Sequence, residues 1–168
     1  MKLSLTAAAL AAGLALPALA LPAFALADTA SDTAAAVRAA DEAFAARAQA
    51  VPPAQAFREY MDETDGTQFD GSKPIKGSQA IYEAMGGIQP AHSKLEWTVK
   101  EAWGSRGGDF GVTWGVWKST ALNGARPPVT GSYVTVWRKN AKGEWKGLID
   151  IGNPDPSPAP AAAAAPAQ

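Results

Sequence analysis

Apolar side chains change their period partway along this chain. From Ser31 to Ala50 they recur at helical spacing, with Val37, Ala40, Phe44 and Ala48 on one face and Ser31 or Asp32 available as a cap. Val51-Pro52-Pro53 ends that pattern. Pro53 suits the first turn of a second helix, which runs through Phe57 and Tyr60 to Met61. A polar stretch from Asp62 to Gly71 has room for a short strand between two turns. Ser78 can then cap a third helix, Gln79 to Met85, which turns Ile81 and Met85 inward and stops at Gly86-Gly87.

Beyond that point the period becomes two. Four runs alternate, Leu95–Trp103, Phe110–Lys118, Gly131–Lys139 and Trp145–Ile151, and turn-forming residues such as Asn123-Gly124 separate them. All six Trp fall between Trp97 and Trp145. Helices followed by an aromatic sheet predict an α+β cone, with three N-terminal helices packed in the concavity of a strongly curved, mostly antiparallel sheet. Alternation puts Leu95, Trp97, Val99, Glu101 and Trp103 in one row. Gly131, Tyr133, Thr135 and Trp137 oppose Ser132, Val134, Val136 and Arg138, while Trp145, Ile149 and Ile151 oppose Lys146, Leu148 and Asp150. Two strands thus carry large apolar groups on both faces. The excess on the convex side predicts a homodimer.

The two ends read differently from the middle. Lys2, an Ala/Leu stretch broken by Pro17 and Pro22, and the small residues around Ala25-Leu26-Ala27 predict a signal peptide over residues 1–27. Residues 153–168, rich in Pro and Ala, have nothing to bury and predict a disordered tail. The domain between them, residues 28–152, holds about 125 residues, enough for one core. Export to the periplasm or the medium follows, with no membrane contact after cleavage. The absence of Cys from an exported chain means that packing, and no disulfide, must hold the fold. A net charge of −1 without a basic run argues against nucleic acid as a partner.

Candidate chemistry is sparse. One His and no Cys exclude the usual zinc sets, and the acidic turn Asp62–Gly66 lacks EF-hand spacing, so no metal is expected. There is no phosphate-binding Gly loop and no Gly-x-Ser-x-Gly elbow, and no cofactor is expected. His92 stands alone in a loop, where solvent exposure is the ordinary outcome. Asp70 could act as a base in apolar surroundings, although Asp-Gly is also a common turn pair. Glu101 and Asp150 could each present a carboxylate to a ligand, if a partner offsets their burial. Trp97, Trp103, Trp117, Tyr133 and Trp137 could wall a pocket for a flat hydrophobic molecule, with Phe44 and Tyr60 supplied by the helices. The same aromatics could instead fill the core.

Three stretches carry a family resemblance. The first is Asp65-Gly66-Thr67-Gln68-Phe69-Asp70 followed by Pro74-Ile75-Lys76-Gly77-Ser78. The second is Gly108-Asp109-Phe110-Gly111-Val112-Thr113-Trp114-Gly115, and the third runs from Thr130 to Arg138 and closes with Gly143-Glu144-Trp145-Lys146. In this order they resemble the NTF2-like superfamily, specifically its SnoaL-like and DUF4440-type domains. That fold hosts isomerases, cyclases, dehydratases and non-catalytic binders. Its ketosteroid isomerases use an Asp base with a Tyr and a protonated Asp as oxyanion donors. The resemblance places the base on Asp70, the helical Tyr position on Phe44 and the oxyanion Asp position on Thr135. Phe44 cannot donate, which counts against an isomerase of that type. The leading expectation is a binder of a small hydrophobic or aromatic molecule. An isomerase-like enzyme using Asp70 and a protein-interaction module are the alternatives.

Overall fold

Thr29 opens the first helix, two residues before the expected start. Its side-chain oxygen accepts from the Asp32 N–H at 3.2 Å, and the Asp32 carboxylate accepts from the Thr29 N–H at 3.1 Å. The computed structural model describes residues 29–89 and 91–156, so the expected leader and most of the expected tail lie outside the described residues. Helix α1 spans Ala30–Ala50 and α2 spans Pro53–Tyr60, with Pro53 in the first turn. Arg47 clamps Glu59 with two hydrogen bonds of 2.6 and 2.8 Å, which fixes α2 against α1. The polar stretch holds two strands, β1 (Thr67–Asp70) and β2 (Lys73–Lys76), joined through Gly71 at φ 60°. Helix α3 spans Ser78–Ala84. Its cap is Gly77 at φ 91°, and Ser78 is its buried first residue.

The long strands are β3 (Ser93–Gly104), β4 (Phe110–Ala121), β5 (Val129–Lys139) and β6 (Trp145–Pro154). Asn153 and Pro154 therefore continue β6 past the boundary expected at residue 152. Asp155 then binds Thr130 through its backbone N–H at 2.8 Å and its carboxylate at 2.6 Å. The six strands form one curved, unclosed sheet in the order β2-β1-β6-β5-β4-β3. Neighbours are antiparallel except at β1 and β6, which run parallel and join through two residue pairs, Thr67 with Ile149 and Gln68 with Asp150.

Strands β4 and β5 alternate as expected, with Gly111, Thr113, Gly115 and Trp117 and then Gly131, Tyr133, Thr135 and Trp137 on the concave side. The outer strands depart from expectation because each pairing contains a bulge. Val99 faces Gly115 but Glu101 faces Trp114, which leaves Lys100 as an extra residue. The expected row is corrected there. Leu95, Trp97 and Val99 stay on the concave side, whereas Glu101 and Trp103 turn outward, and Trp103 is 52% exposed. In β6, Ile149 faces Val136 while Gly147 faces Trp137, so Leu148 is extra. Trp145 consequently moves to the concave side and packs on the core, away from the face of Ile149 and Ile151.

Helix α1 lies directly on the β3–β4 backbone. A Cβ on Gly111 would come within 2.4 Å of Val37 Cγ2, and one on Gly104 within 2.4 Å of the Ala34 nitrogen. Side chains at either position would lift the helix. Arg38 reaches across to the bulge and donates to the Lys100 carbonyl at 2.9 Å. The core centres on Phe44, whose ring lies 4.7 Å from Trp97, 4.8 Å from Phe57 and 4.9 Å from Tyr60. Trp137 closes it from the sheet and is fully buried.

Candidate functional site

Beyond this core the cone stays open. A cavity of about 410 Å³ remains between α2, β1 and the ends of β3 to β6. That is within the range of small-molecule sites, roughly 300–1,000 Å³. Two of its walls are indoles. Trp97 and Trp117 are cross-strand partners on β3 and β4, and each is held by its N–H. Trp97 Nε1 donates to Asp41 Oδ1 at 2.8 Å, and Trp117 Nε1 donates to the Ser132 carbonyl at 3.1 Å. Trp117 can reach over β5 because Gly131 has no side chain. A Cβ on Gly131 would lie 2.6 Å from the Trp117 ring, whereas one on Gly152 would only touch its Nε1 at 3.4 Å.

Asp150 lines the cavity from β6 and is only 8% exposed. Thr135 donates to its Oδ2 at 2.7 Å, and the Gln68 side chain supplies a further hydrogen bond. Burial pushes its carboxyl up to about 6; the Thr135 hydrogen bond opposes the rise and the negative Asp41 adds to it. This carboxyl therefore changes charge close to neutral pH.

Asp41 lies one layer deeper, fully buried on α1. It accepts from Trp97 and from the Tyr133 hydroxyl, the latter at 3.0 Å, and Thr113 adds a side-chain hydrogen bond. Burial raises its pKa above the ordinary carboxylate value, and these donors work against the rise. Tyr133, which lines the cavity, is pushed well above the ordinary phenol value by burial and then by the charge of Asp41. The Thr113 hydroxyl also accepts from Trp137 Nε1 at 2.9 Å. Helix and sheet are thus joined by one buried polar chain in which the named donors are already used.

The expected site residues divide into groups. Trp97, Trp117, Tyr133 and Asp150 line the cavity together. Phe44, Tyr60 and Trp137 belong to the packed core beside it, and Thr135 serves as the buried support of Asp150. Glu101 and Trp103 lie on the outer face, on the far side of the sheet from the cavity. Asp70 occupies the end of β1 opposite Lys73; its side chain lies outside the described residues. His92 is exposed just before β3. Among the described residues no three His, Cys, Asp or Glu side chains gather in a way that could hold a metal ion. No helix there is long and apolar enough to cross a membrane.

Asp41, Gln68 and Arg126 are among the site residues that the sequence does not single out. Asp41 had a signal, since it completes the spacing Val37, Asp41, Phe44, Ala48 on the inward face of α1. Gln68 is set by its pairing opposite Asp150, which no local pattern announces. Arg126 lines the cavity from the β4–β5 connection, where an isolated cation reads as an ordinary loop residue.

No family model matches the chain, and no curated protein sequence does. Solved structures do. A ketosteroid isomerase-like protein from Erwinia carotovora atroseptica matches with a TM-score of 0.59 at 17% identity, over 75% of this chain and 98% of that one. An NTF2-like superfamily protein from Salmonella enterica serovar Typhimurium gives a TM-score of 0.60 at 14% identity, over 79% and 97%. A Mycobacterium tuberculosis protein in complex with estradiol-17beta-hemisuccinate gives 0.51 at 21% identity, over 70% and 91%.

Proposed function

Since the chain has the NTF2-like, ketosteroid-isomerase-like fold, we propose that it is an exported binder of a small, flat, hydrophobic molecule. The observation that carries this reading is the open cavity of about 410 Å³, with two tethered indoles as walls and one buried carboxyl group inside. Indoles held by their own hydrogen bonds are preorganised, so little ordering opposes binding. The steroid ester bound by the mycobacterial structure of similar fold supports the same class of ligand.

Proton transfer by Asp150 is the competing reading, favoured by a carboxyl that titrates near neutrality. It is the weaker one. Enolate chemistry needs free donors aimed at the developing oxyanion. The donors of Trp97, Tyr133 and Thr135 are committed to Asp41 and Asp150, and that of Trp117 to Ser132. An interaction module with a plugged cone fits less well, because the indoles wall the cavity without filling it.

We place a second copy of the chain on the outer sheet face, where Trp103, Val116, Val134 and Ile151 are exposed. Native mass spectrometry of the protein secreted by a bacterial host, purified without dialysis, tests these statements together. The expected spectrum shows a chain beginning at Asp28, a dimer, and a small-molecule adduct that Trp117→Ala loses. A chain retaining the leader would remove export. An adduct-free spectrum, with no gain when hydrophobic metabolite extracts are added, would remove the binder.

A further inference from the structure

Two charged groups line the cavity, and they sit at opposite extremes of exposure. Asp150 is buried. Thr135 and Gln68 occupy part of its carboxylate, which has about four acceptor positions and so can take another donor. Arg126 is exposed, lines the same cavity, and has no hydrogen-bond, ion-pair or ring partner among the described residues. It immediately precedes Pro127-Pro128, whose fixed φ angles stiffen the chain entering β5. The backbone that carries Arg126 is thereby stiffened at the cavity rim, while its long side chain can reach to meet a ligand. Trp97 and Trp117 line the same cavity.

We propose that the ligand is an amphipathic anion: a flat apolar body against the two indoles, a hydroxyl donating to Asp150, and a carboxylate at the rim on Arg126. This deepens the binder reading and rests on it. The orientation follows from charge. An anion placed inward would face both Asp150 and Asp41, whereas a cation placed outward would face Arg126. The planar guanidinium fork also matches a carboxylate through two parallel hydrogen bonds, which a point charge does not offer.

Three naphthalene probes separate the parts: 6-hydroxy-2-naphthoate carries both groups, 2-naphthol lacks the anion, and 2-naphthoate lacks the hydroxyl. Their affinities are read by quenching of Trp fluorescence at low salt. The hydroxy acid should bind up to roughly fivefold more tightly than either truncated probe, the scale of an exposed charge pair. Arg126→Ala should bring it down to the affinity of 2-naphthol, and Arg126→Lys should restore part of the difference. If 2-naphthol binds and the carboxylate adds nothing, or if Arg126→Ala leaves the ratio intact, the proposal falls while the binder reading stands. If no probe binds, both fall together.

Discussion

Asp150 sits where its charged form is disfavoured, and the sign of its pH effect follows. Its carboxyl titrates at about 6 in the folded chain against an ordinary value of 3.8. The folded state therefore holds this proton more tightly than the unfolded state does. The contribution to stability is complete below pH 3.8 and is lost as pH rises through about 6. Asp150→Asn has no such titration. Relative to that variant, the wild-type protein should lose roughly 2 kcal/mol between about pH 4 and pH 6.5. Urea midpoints at the two pH values check this, and a pH-independent difference between the proteins would contradict it. Asp41 titrates in the same sense but is present in both proteins, so its own titration largely cancels from the comparison. At this scale the sequence was only partly legible. Asp150 could be picked out as an acid in an aromatic strand. Its support by Thr135 and Gln68 depends on strand pairing across three strands, which the linear order does not display.

At the scale of elements, the faces of β4 and β5 were readable because their alternation is unbroken, although β4 runs on to Ala121 and β5 starts at Val129, beyond the alternating runs. β3 and β6 were readable in position but neither in full extent nor in face. Each carries one bulged residue, Lys100 or Leu148, and neither residue type marks a bulge. One inserted residue reverses every later side chain, which is why Trp103 and Trp145 exchange sides relative to a strict alternation. The small residues of the concave side have a physical role that alternation alone leaves open. Gly111→Ala would drive a methyl group into Val37 and towards the Trp103 carbonyl. We expect a loss of about 2 kcal/mol, in the range of overpacked cores, measured as a lower urea midpoint with an unchanged slope. A midpoint equal to that of the wild type would show that α1 can lift without cost.

For the whole molecule, the layer arrangement was legible from the change of period, since short helices followed by alternating strands have few ways to cover one sheet face. The outer face keeps Trp103, Phe110, Val116, Val134 and Ile151 at least partly open to solvent. If two copies meet there, Val134→Glu should shift the mass in solution from dimer to monomer while leaving the far-ultraviolet spectrum unchanged, as light scattering and circular dichroism would report. A dimer that survives the substitution would move the contact elsewhere.

The parallel joint between β1 and β6 has its own consequence. It consists of two residue pairs, and one of them, Gln68 with Asp150, is also part of the cavity wall. The site thus straddles the thinnest seam of the sheet. A molecule touching both residues would act as a stitch across that seam, tying the β1–β2 hairpin to the rest of the cone. Occupancy should then register in amide exchange as slowed opening of β1 and β2, with β4 and β5 little altered. Equal slowing across all six strands would mean that the hairpin is already sewn in before any ligand arrives.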